Sequence, residues 1–580
     1  MDRDYVHPHD RSVAWEIGIR HPSSTSGPVL RIDDLTWSRP SELVTTLRSR
    51  AARGGPLLAS VVVVLAVACG HPIVQPTAAP VLIAPTAATV VNPRVALRGA
   101  IDSMLGDPRF RNAFWGVLIV DPAHNDTLYA RNADKLFLPA SNMKVVTASV
   151  ALAQLGPDFR FRTTFAARGP IRNGVLFGDL VVIGRGDPTV SDHMMRDAMV
   201  PLRAAAESLA THGIRRIAGH IVSADDAFPD ANIGFGWDWD DLGEPYGAGV
   251  DELMFNEGYT TVTLRGAARP GAPAHVTTTP VGDYPPIRSR VTTTPVGGGA
   301  AAATPSAVFD ATHGDLVVNG AIAPGDTATL LVAYRDPAAA YLYGLAAAMR
   351  ARGIALRPQP VSPTDDSEIF PNAGTPPALA PPTARSAAPT PVRRDTLFAL
   401  SSPPLREILP ALLKPSQNQI AEILLKTLGL EKTGVGSADS GRRVVASQLT
   451  GWGVPPDEFV IRDGSGLSRH DYLSPATLVH TLITIEHDTA YQVFYDALPI
   501  AGLDGTIADR MHGTPASGNV HAKTGFVDRA RSLSGYVTTT DGVGLVFSLL
   551  CNNWTTPVHD VERVQDEIAV RLASMTLGAP

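Results

Sequence analysis

Two cysteines in 580 residues, Cys69 and Cys551, are too few for a disulfide framework or a cysteine-bound metal cluster. Lysine is almost as scarce: Lys135, Lys144, Lys414, Lys426, Lys432 and Lys523 are six among 49 basic residues. Arginine keeps its proton near neutral pH and lysine can release it, so each retained lysine invites a chemical question. The apolar run Leu57–Ala68 has twelve residues, short of the roughly 20 that a membrane-spanning helix needs. The scattered histidines have no HExxH spacing, and no EF-hand spacing accompanies the acidic residues, so no metal or cofactor is expected. A net charge of −7, without a basic run interleaved with aromatics, argues against nucleic acid as the main partner.

What is present fits a globular chain of two or three domains, with 44% hydrophobic and 18% charged residues. Arg48, Arg50 and Arg53 precede the run Leu57–Ala68, a basic segment followed by an apolar one, which predicts an export signal. Its end, Leu65-Ala66-Val67-Ala68-Cys69, resembles a bacterial lipobox, so Cys69 is a candidate lipid anchor. Such a signal normally opens a protein, and residues 1–47 are polar without periodicity, so translation is expected to start later, with Val44 as a candidate. His71–Val91 reads as a tether, and the Pro-, Ala- and Ser-rich stretch 358–394 as an extended insert.

Phe114–Val120 and Thr127–Arg131 are predicted to pair as a hairpin, and Ser141–Leu155 to form a helix closed by Gly156, with Val145, Ala148, Leu152 and Leu155 on one face. Strand-like Gly178–Ile183 and a helix near Met199–His212 follow. The repeated heptapeptide VTTTPVG, at Val276–Gly282 and Val291–Gly297, is too short for a solenoid and reads as a duplicated loop or strand edge. Pro404–Lys414 and Asn418–Leu428 read as two helices. Val520–Gly525, Leu533–Thr538 and Val543–Leu550 read as antiparallel strands, and Val561–Leu577 as a closing helix. Together these give an α+β body interrupted by an insertion.

Three short elements carry the chemistry. In Ser141-Asn142-Met143-Lys144 the i, i+3 spacing puts a hydroxyl and an amine on one helix face, where a desolvated lysine can take the serine proton. Pro139-Ala140 sets Ser141 at the helix N-terminus, where free N–H groups favour a developing oxyanion. In Ser416-Gln417-Asn418 the two outer side chains point the same way from an extended loop, to relay a proton and to hold a substrate carbonyl; in isolation the segment reads as an N-cap by Ser or Asn. Lys523-Thr524-Gly525, on a strand edge, offers a positive charge and a hydroxyl to an anionic terminus, with Gly525 allowing close approach. The last two elements also recur without function, since Lys432-Thr433-Gly434 and Ser517-Gly518-Asn519 read as turns, whereas Ser-x-x-Lys occurs only at 141–144.

In the order SxxK, SxN, KTG the three resemble penicillin-binding proteins and serine β-lactamases. The resemblance is closest to the class C low-molecular-mass penicillin-binding proteins, the D-alanyl-D-alanine carboxypeptidase/endopeptidase family, and spans about residues 92–575. Gly178–Thr189, Asp463–Arg469, Leu498–Thr506 and Leu533-Ser534-Gly535-Tyr536 look like the same family. It implies a penicillin-binding/β-lactamase-like transpeptidase domain, an antiparallel sheet flanked by helices, formed by 92–162 and 396–580. Two nested insertions would divide the rest, domain II as 163–191 and 281–395, domain III as 192–280. It implies Ser141 as acylated nucleophile, Lys144 as its base, Ser416 and Asn418 as proton relay and substrate ligand, and Lys523 and Thr524 as carboxylate ligands. Backbone N–H groups of Ser141 and Phe526 would form the oxyanion hole. The implied partners are peptidoglycan stem peptides and β-lactams.

Phe526 departs from the family, which commonly has Thr or Ser after KTG. The lost hydroxyl puts carboxylate recognition in question, with Arg529 or Arg531 as compensating candidates, or a preference for internal cross-links. Two rival readings are a β-lactamase or esterase on the same body and a catalytically silent wall-binding protein. The acidic stretch Asp238, Asp240, Asp241 and Glu244 beside Trp237 and Trp239 reads as a solvated loop rather than a metal site, Asp463 as a site-arranging or turn residue, and Gly184-Arg185-Gly186-Asp187 as a turn lacking the third glycine of a dinucleotide fingerprint. His470 and His521 are expected to have structural roles and Cys551 to be a buried thiol.

Overall fold

Five strands, the last three buried along almost their whole length, build the sheet that carries the site: β1 (Phe114–Asp121), β2 (Asp126–Arg131), β3 (His521–Val527), β4 (Ala530–Thr538) and β5 (Gly544–Asn552). They lie in the order β2-β1-β5-β4-β3, each antiparallel to its neighbours. Period-two alternation sends Trp115, Val117, Ile119, Leu533, Phe547 and Leu549 to one core, and Val546, Leu550 and Tyr536 to the other. In this computed structural model the described residues are 92–224, 227–280, 282–294, 304–310, 315–361 and 395–578. The export-type run, Cys69, the tether, and the Pro-rich insert from 362 onward lie outside them. Among the described residues no helix is long and apolar enough to cross a membrane.

The helices α1 (Met143–Leu155), α2 (Leu405–Leu413), α3 (Asn418–Thr433) and α4 (Pro475–Glu486) cover one face, and α5 (Val558–Ser574) lies on the other. A one-sided α1 was expected. Instead every residue from Met143 to Leu152 is buried, because α1 packs against α3 and α4 and shares a core with one face of the sheet. Its fully buried Val145, Val146 and Val150 each contribute roughly 1.5–3 kcal/mol of apolar burial. Gly156, at φ 82°, ends the helix in a backbone region that favours glycine.

The insertion packs in two parts. Strands Arg162–Arg168, Asp179–Ile183, Ile221–Ser223 and Asp395–Ser401 form one sheet, sharing a core with helices Met199–Thr211 and Pro337–Ala351. A second, β-rich module places Tyr259–Arg265 between His275–Thr279 and Thr327–Ala333. A division at 280/281 therefore cuts a hydrogen-bonded sheet, and the strand from Asp395 pairs with the insertion rather than with the body. The two heptapeptide copies do not play one role: Thr277 and Thr278 lie in the strand paired with Tyr259–Arg265, whereas Thr292-Thr293 pairs with Ala321-Ile322.

Candidate active site

Ser141 sits in a tight 3-10 turn, Ala140–Asn142, that leads into α1. The turn is strained, with Ala140 at φ 47°, a region that costs a non-glycine residue on the order of 1–3 kcal/mol. One turn on, the fully buried Lys144 Nζ donates to Ser141 Oγ at 2.9 Å, Asn418 Oδ1 at 2.6 Å and the Ser465 carbonyl at 2.8 Å. Burial pushes this amine down to about 7, against the nearby carboxyls of Asp463 and Glu422, which favour its charged form. The loop that supplies the Ser465 carbonyl passes so close that a Cβ on Gly466, itself at φ 80°, would lie 1.8 Å from the Ala140 carbonyl oxygen.

The second element adopts a less regular form than its sequence suggests. Ser416 has φ 66°, and the helix cap is neither Ser416 nor Asn418 but Gln417, whose Oε1 accepts the Ile420 N–H at 3.1 Å. That frees Asn418, at the first position of α3, to reach Lys144 with Oδ1 and to donate through Nδ2 to the Tyr246 carbonyl at 2.8 Å.

Strand β3 closes the third side. Lys523 is fully buried, and its Nζ donates to the Thr524 carbonyl at 2.8 Å; among the described residues it has no hydrogen bond to Ser141. Burial, then the neighbouring Lys144 and Arg531, hold its amine well below the ordinary lysine value. A Cβ on Gly525 would fall 2.9 Å from the Ser141 nitrogen and 2.2 Å from Ser532 Oγ, so glycine is what lets the strand reach the nucleophile. Phe526 is 53% exposed, and its ring covers the Arg531 guanidinium at 5.4 Å. Neither arginine replaces the missing hydroxyl: Arg531 is paired with Glu562, and Arg529 donates to the Trp554 carbonyl at 2.6 Å. The Thr506 hydroxyl does lie beside it, 2.6 Å from Thr524 Oγ1.

Ser141, Ser416, Asn418 and Phe526 line one cavity of about 460 Å³, so the three elements converge there, while the fully buried Lys144 and Lys523 are not part of its lining. Sequence reasoning missed part of its wall. Asp238, Asp240, Asp241 and Tyr246 face the same cavity from the insertion, opposite Arg469. The acidic stretch is therefore part of the cleft rather than a bystander, and it is anchored by the Trp237 indole, which donates to Asp463 Oδ2 at 2.9 Å. Asp463 is both arranger and turn residue, since its carboxylate also accepts the N–H groups of Gly466 at 2.6 Å and Ser468 at 2.7 Å. Glu422, buried behind this loop, was missed too; a carboxylate within the apolar run Ile420–Leu425 was the available signal. His521 is buried and stacks on Tyr495 with ring centroids 4.0 Å apart, and burial raises the Cys551 thiol. Among the described residues no cluster of His, Cys, Asp or Glu could hold a metal ion.

Comparison with known proteins matches the model of the D-Ala-D-Ala carboxypeptidase 3 (S13) family to residues 97–367 and 384–575. A D-alanyl-D-alanine carboxypeptidase of Actinomadura sp. strain R39 is 34% identical over 498 residues, 82% of this chain and 84% of the relative. The D-alanyl-D-alanine carboxypeptidase DacB of Haemophilus influenzae is 26% identical, over 74% of this chain and 84% of its own. The crystal structure of penicillin binding protein 4 from that organism has the same fold, with TM-score 0.65 at 24% identity, covering 81% of this chain and 99% of the other.

Proposed function

The chain belongs to the D-Ala-D-Ala carboxypeptidase 3 (S13) family, and from that premise we propose that Ser141 is acylated by the D-Ala-D-Ala end or cross-link of a peptidoglycan stem peptide, with Lys144 as its base. The enzyme is a serine-type D-alanyl-D-alanine carboxypeptidase. The observation that carries the assignment of roles is the 2.9 Å hydrogen bond between Ser141 Oγ and a fully buried amine held near 7. A neutral amine has two N–H bonds and one lone pair. Asn418 Oδ1 and the Ser465 carbonyl accept the two N–H bonds, which leaves the lone pair for the Ser141 proton.

Ser141 Oγ attacks the carbonyl between the two D-alanines as its proton passes to Lys144. The oxyanion is held by the backbone N–H groups of Ser141 and Phe526. Collapse breaks the peptide bond, and the leaving amine takes the proton from Lys144 through Ser416. Water then hydrolyses the ester. Asn418 holds the substrate amide, and Lys523 and Thr524, with Thr506 behind, bind the carboxylate. An arriving anion restores the charge that burial takes from Lys523. β-Lactams acylate the same serine, and Phe526 favours cross-links over free termini. Such a substrate lies outside the cytoplasmic membrane, which agrees with an export role for Leu57–Ala68 and a lipid anchor at Cys69.

The test is labelling with a fluorescent penicillin, with Ser141→Ala as control. Stable, Ser141-dependent labelling is expected. Rapid loss of label would indicate a β-lactamase, and no labelling a catalytically silent binding protein.

A further inference from the structure

The insertion grips the middle residue of the second element, a contact that the acyl-transfer steps do not use. Glu257 is buried in the turn Asn256–Gly258, just ahead of the strand Tyr259–Arg265. Its Oε2 accepts from Gln417 Nε2 at 3.1 Å, while Oε1 lies 2.9 Å from His193 Nδ1 and 3.3 Å from Ser191 Oγ. The hydrogen bond to Glu257 raises His193 above the ordinary histidine value. Asn256 at φ 48° and Glu257 at φ 56° are successive non-glycine residues in the left-handed region, which L side chains rarely adopt. Asn256 clamps the turn. Its N–H donates to the Val190 carbonyl at 2.8 Å, its Oδ1 accepts the Asp192 N–H at 3.0 Å, and its Nδ2 donates to the Tyr259 carbonyl at 2.9 Å. Three hydrogen bonds thus hold a strained turn that aims a carboxylate at the catalytic body.

We propose that Glu257 is a positioning residue for the proton relay: reaching from the insertion, it sets the Gln417 amide, and through it the left-handed backbone that aims Ser416 into the cleft. The inference rests on the assignment of Ser416 as relay. Gln417 has one amide for two partners, with Oε1 capping α3 on the Ile420 N–H and Nε2 on Glu257. A carboxylate only accepts hydrogen bonds, so it decides which way the amide faces and leaves the oxygen for the cap. The Gln417 N–H is tied as well, to the Leu412 carbonyl at 2.9 Å. Ser416 lines the cavity from the residue before, at φ 66°, and keeps that backbone only while Gln417 is held. Asn418, on the other side, has its own ties to Lys144 and to the Tyr246 carbonyl, so the grip of Glu257 bears chiefly on Ser416.

Glycine relaxes the turn and removes the carboxylate together, so Glu257→Gly separates a role in the site from a role in folding. Stopped-flow labelling with a fluorescent penicillin gives the binding constant and the acylation rate constant separately, and a thermal melt gives stability. E257G is expected to melt close to the native temperature, relieved strain offsetting lost contacts, and to bind the penicillin within about twofold of native. Its acylation rate constant should fall about tenfold. In a Gln417→Ala background, itself slow, the same change should cost less than about twofold, because Glu257 acts through Gln417. An E257G acylation rate within about threefold of native overturns the inference. So does a roughly tenfold loss that repeats in Q417A, the result of general damage to the insertion. Should E257G not fold, E257N is read the same way, since asparagine accepts the left-handed region and is one methylene too short to reach Gln417. Native-rate acylation of Ser416→Ala would remove Ser416 as relay and take this inference with it. A slow S416A beside a native-rate E257G overturns the role of Glu257 alone.

Discussion

Lys144 has exchanged water for three oxygen acceptors, and at residue scale the pH behaviour of the enzyme follows from that exchange. Below about 7 the amine is protonated, all three contacts accept its N–H bonds, and no lone pair faces Ser141. Acylation is therefore expected to climb by about tenfold per pH unit on the acid side and to level off above about 7. Because burial takes the charge from Lys523, an anionic substrate must bind together with a proton on that amine, so its KM should rise with pH; stopped-flow acylation across pH measures both effects. Arginine at 144 would keep its proton throughout, so Lys144→Arg should abolish acylation at every pH. Phe526 sets a second residue-scale expectation. Threonine there would return a hydroxyl to the carboxylate side, and a hydrogen bond to a charged group contributes roughly 1.5–3 kcal/mol. F526T should raise kcat/KM for a D-Ala-D-Ala pentapeptide about tenfold relative to a cross-linked dimer, as read by muropeptide chromatography.

Elements meet at this site through glycines and loops, and the limits of sequence reading lie in those meetings. The loop carrying Gly466 presses on the turn before Ser141, where any Cβ would collide with the Ala140 carbonyl. Gly466→Ala should cost about 2–3 kcal/mol in chemical denaturation, because the residue is left-handed and the contact cannot relax without moving the nucleophile. The acylation rate should fall with it. The strands and α1 were legible because their periodicity is local, and the three motifs because their spacing states their geometry. The cap at Gln417 was not legible, since Ser416, Gln417 and Asn418 are all competent polar residues and only the left-handed Ser416 decides among them. The acidic stretch was read as solvated because its attachment is invisible in the chain: Trp237 meets Asp463, 226 residues away. Glu422 was passed over for the same reason, as its partners at 464 and 465 lie on a different element.

At the scale of the molecule, the insertion is a wall of the cleft rather than an ornament on the catalytic body. Its loop is braced from two sides. From the body, Asn418 Nδ2 donates to the Tyr246 carbonyl, and Gln419 Nε2 donates to the carbonyls of Pro245 at 3.0 Å and Ala248 at 2.9 Å. From the insertion, the strand Thr327–Ala333 packs beside the turns Asp241–Gly243 and Pro245–Gly247. The β-rich module that contains this strand begins and ends at paired residues, Tyr259 opposite Ala333, so it can be replaced by a short Gly-Ser bridge. A small β-lactam is expected to engage the Ser141 end of the cavity alone, and its acylation rate should change by less than about threefold on excision. A stem peptide is expected to reach across to the acidic wall, where one of the two braces is then gone. Its KM should rise by about tenfold, with kcat changed less, as expected when binding is lost away from the reacting bond. Equal losses for the penicillin and the peptide would mean that the module supports the catalytic body itself, and the wall would then have to be held by Asn418 and Gln419 alone.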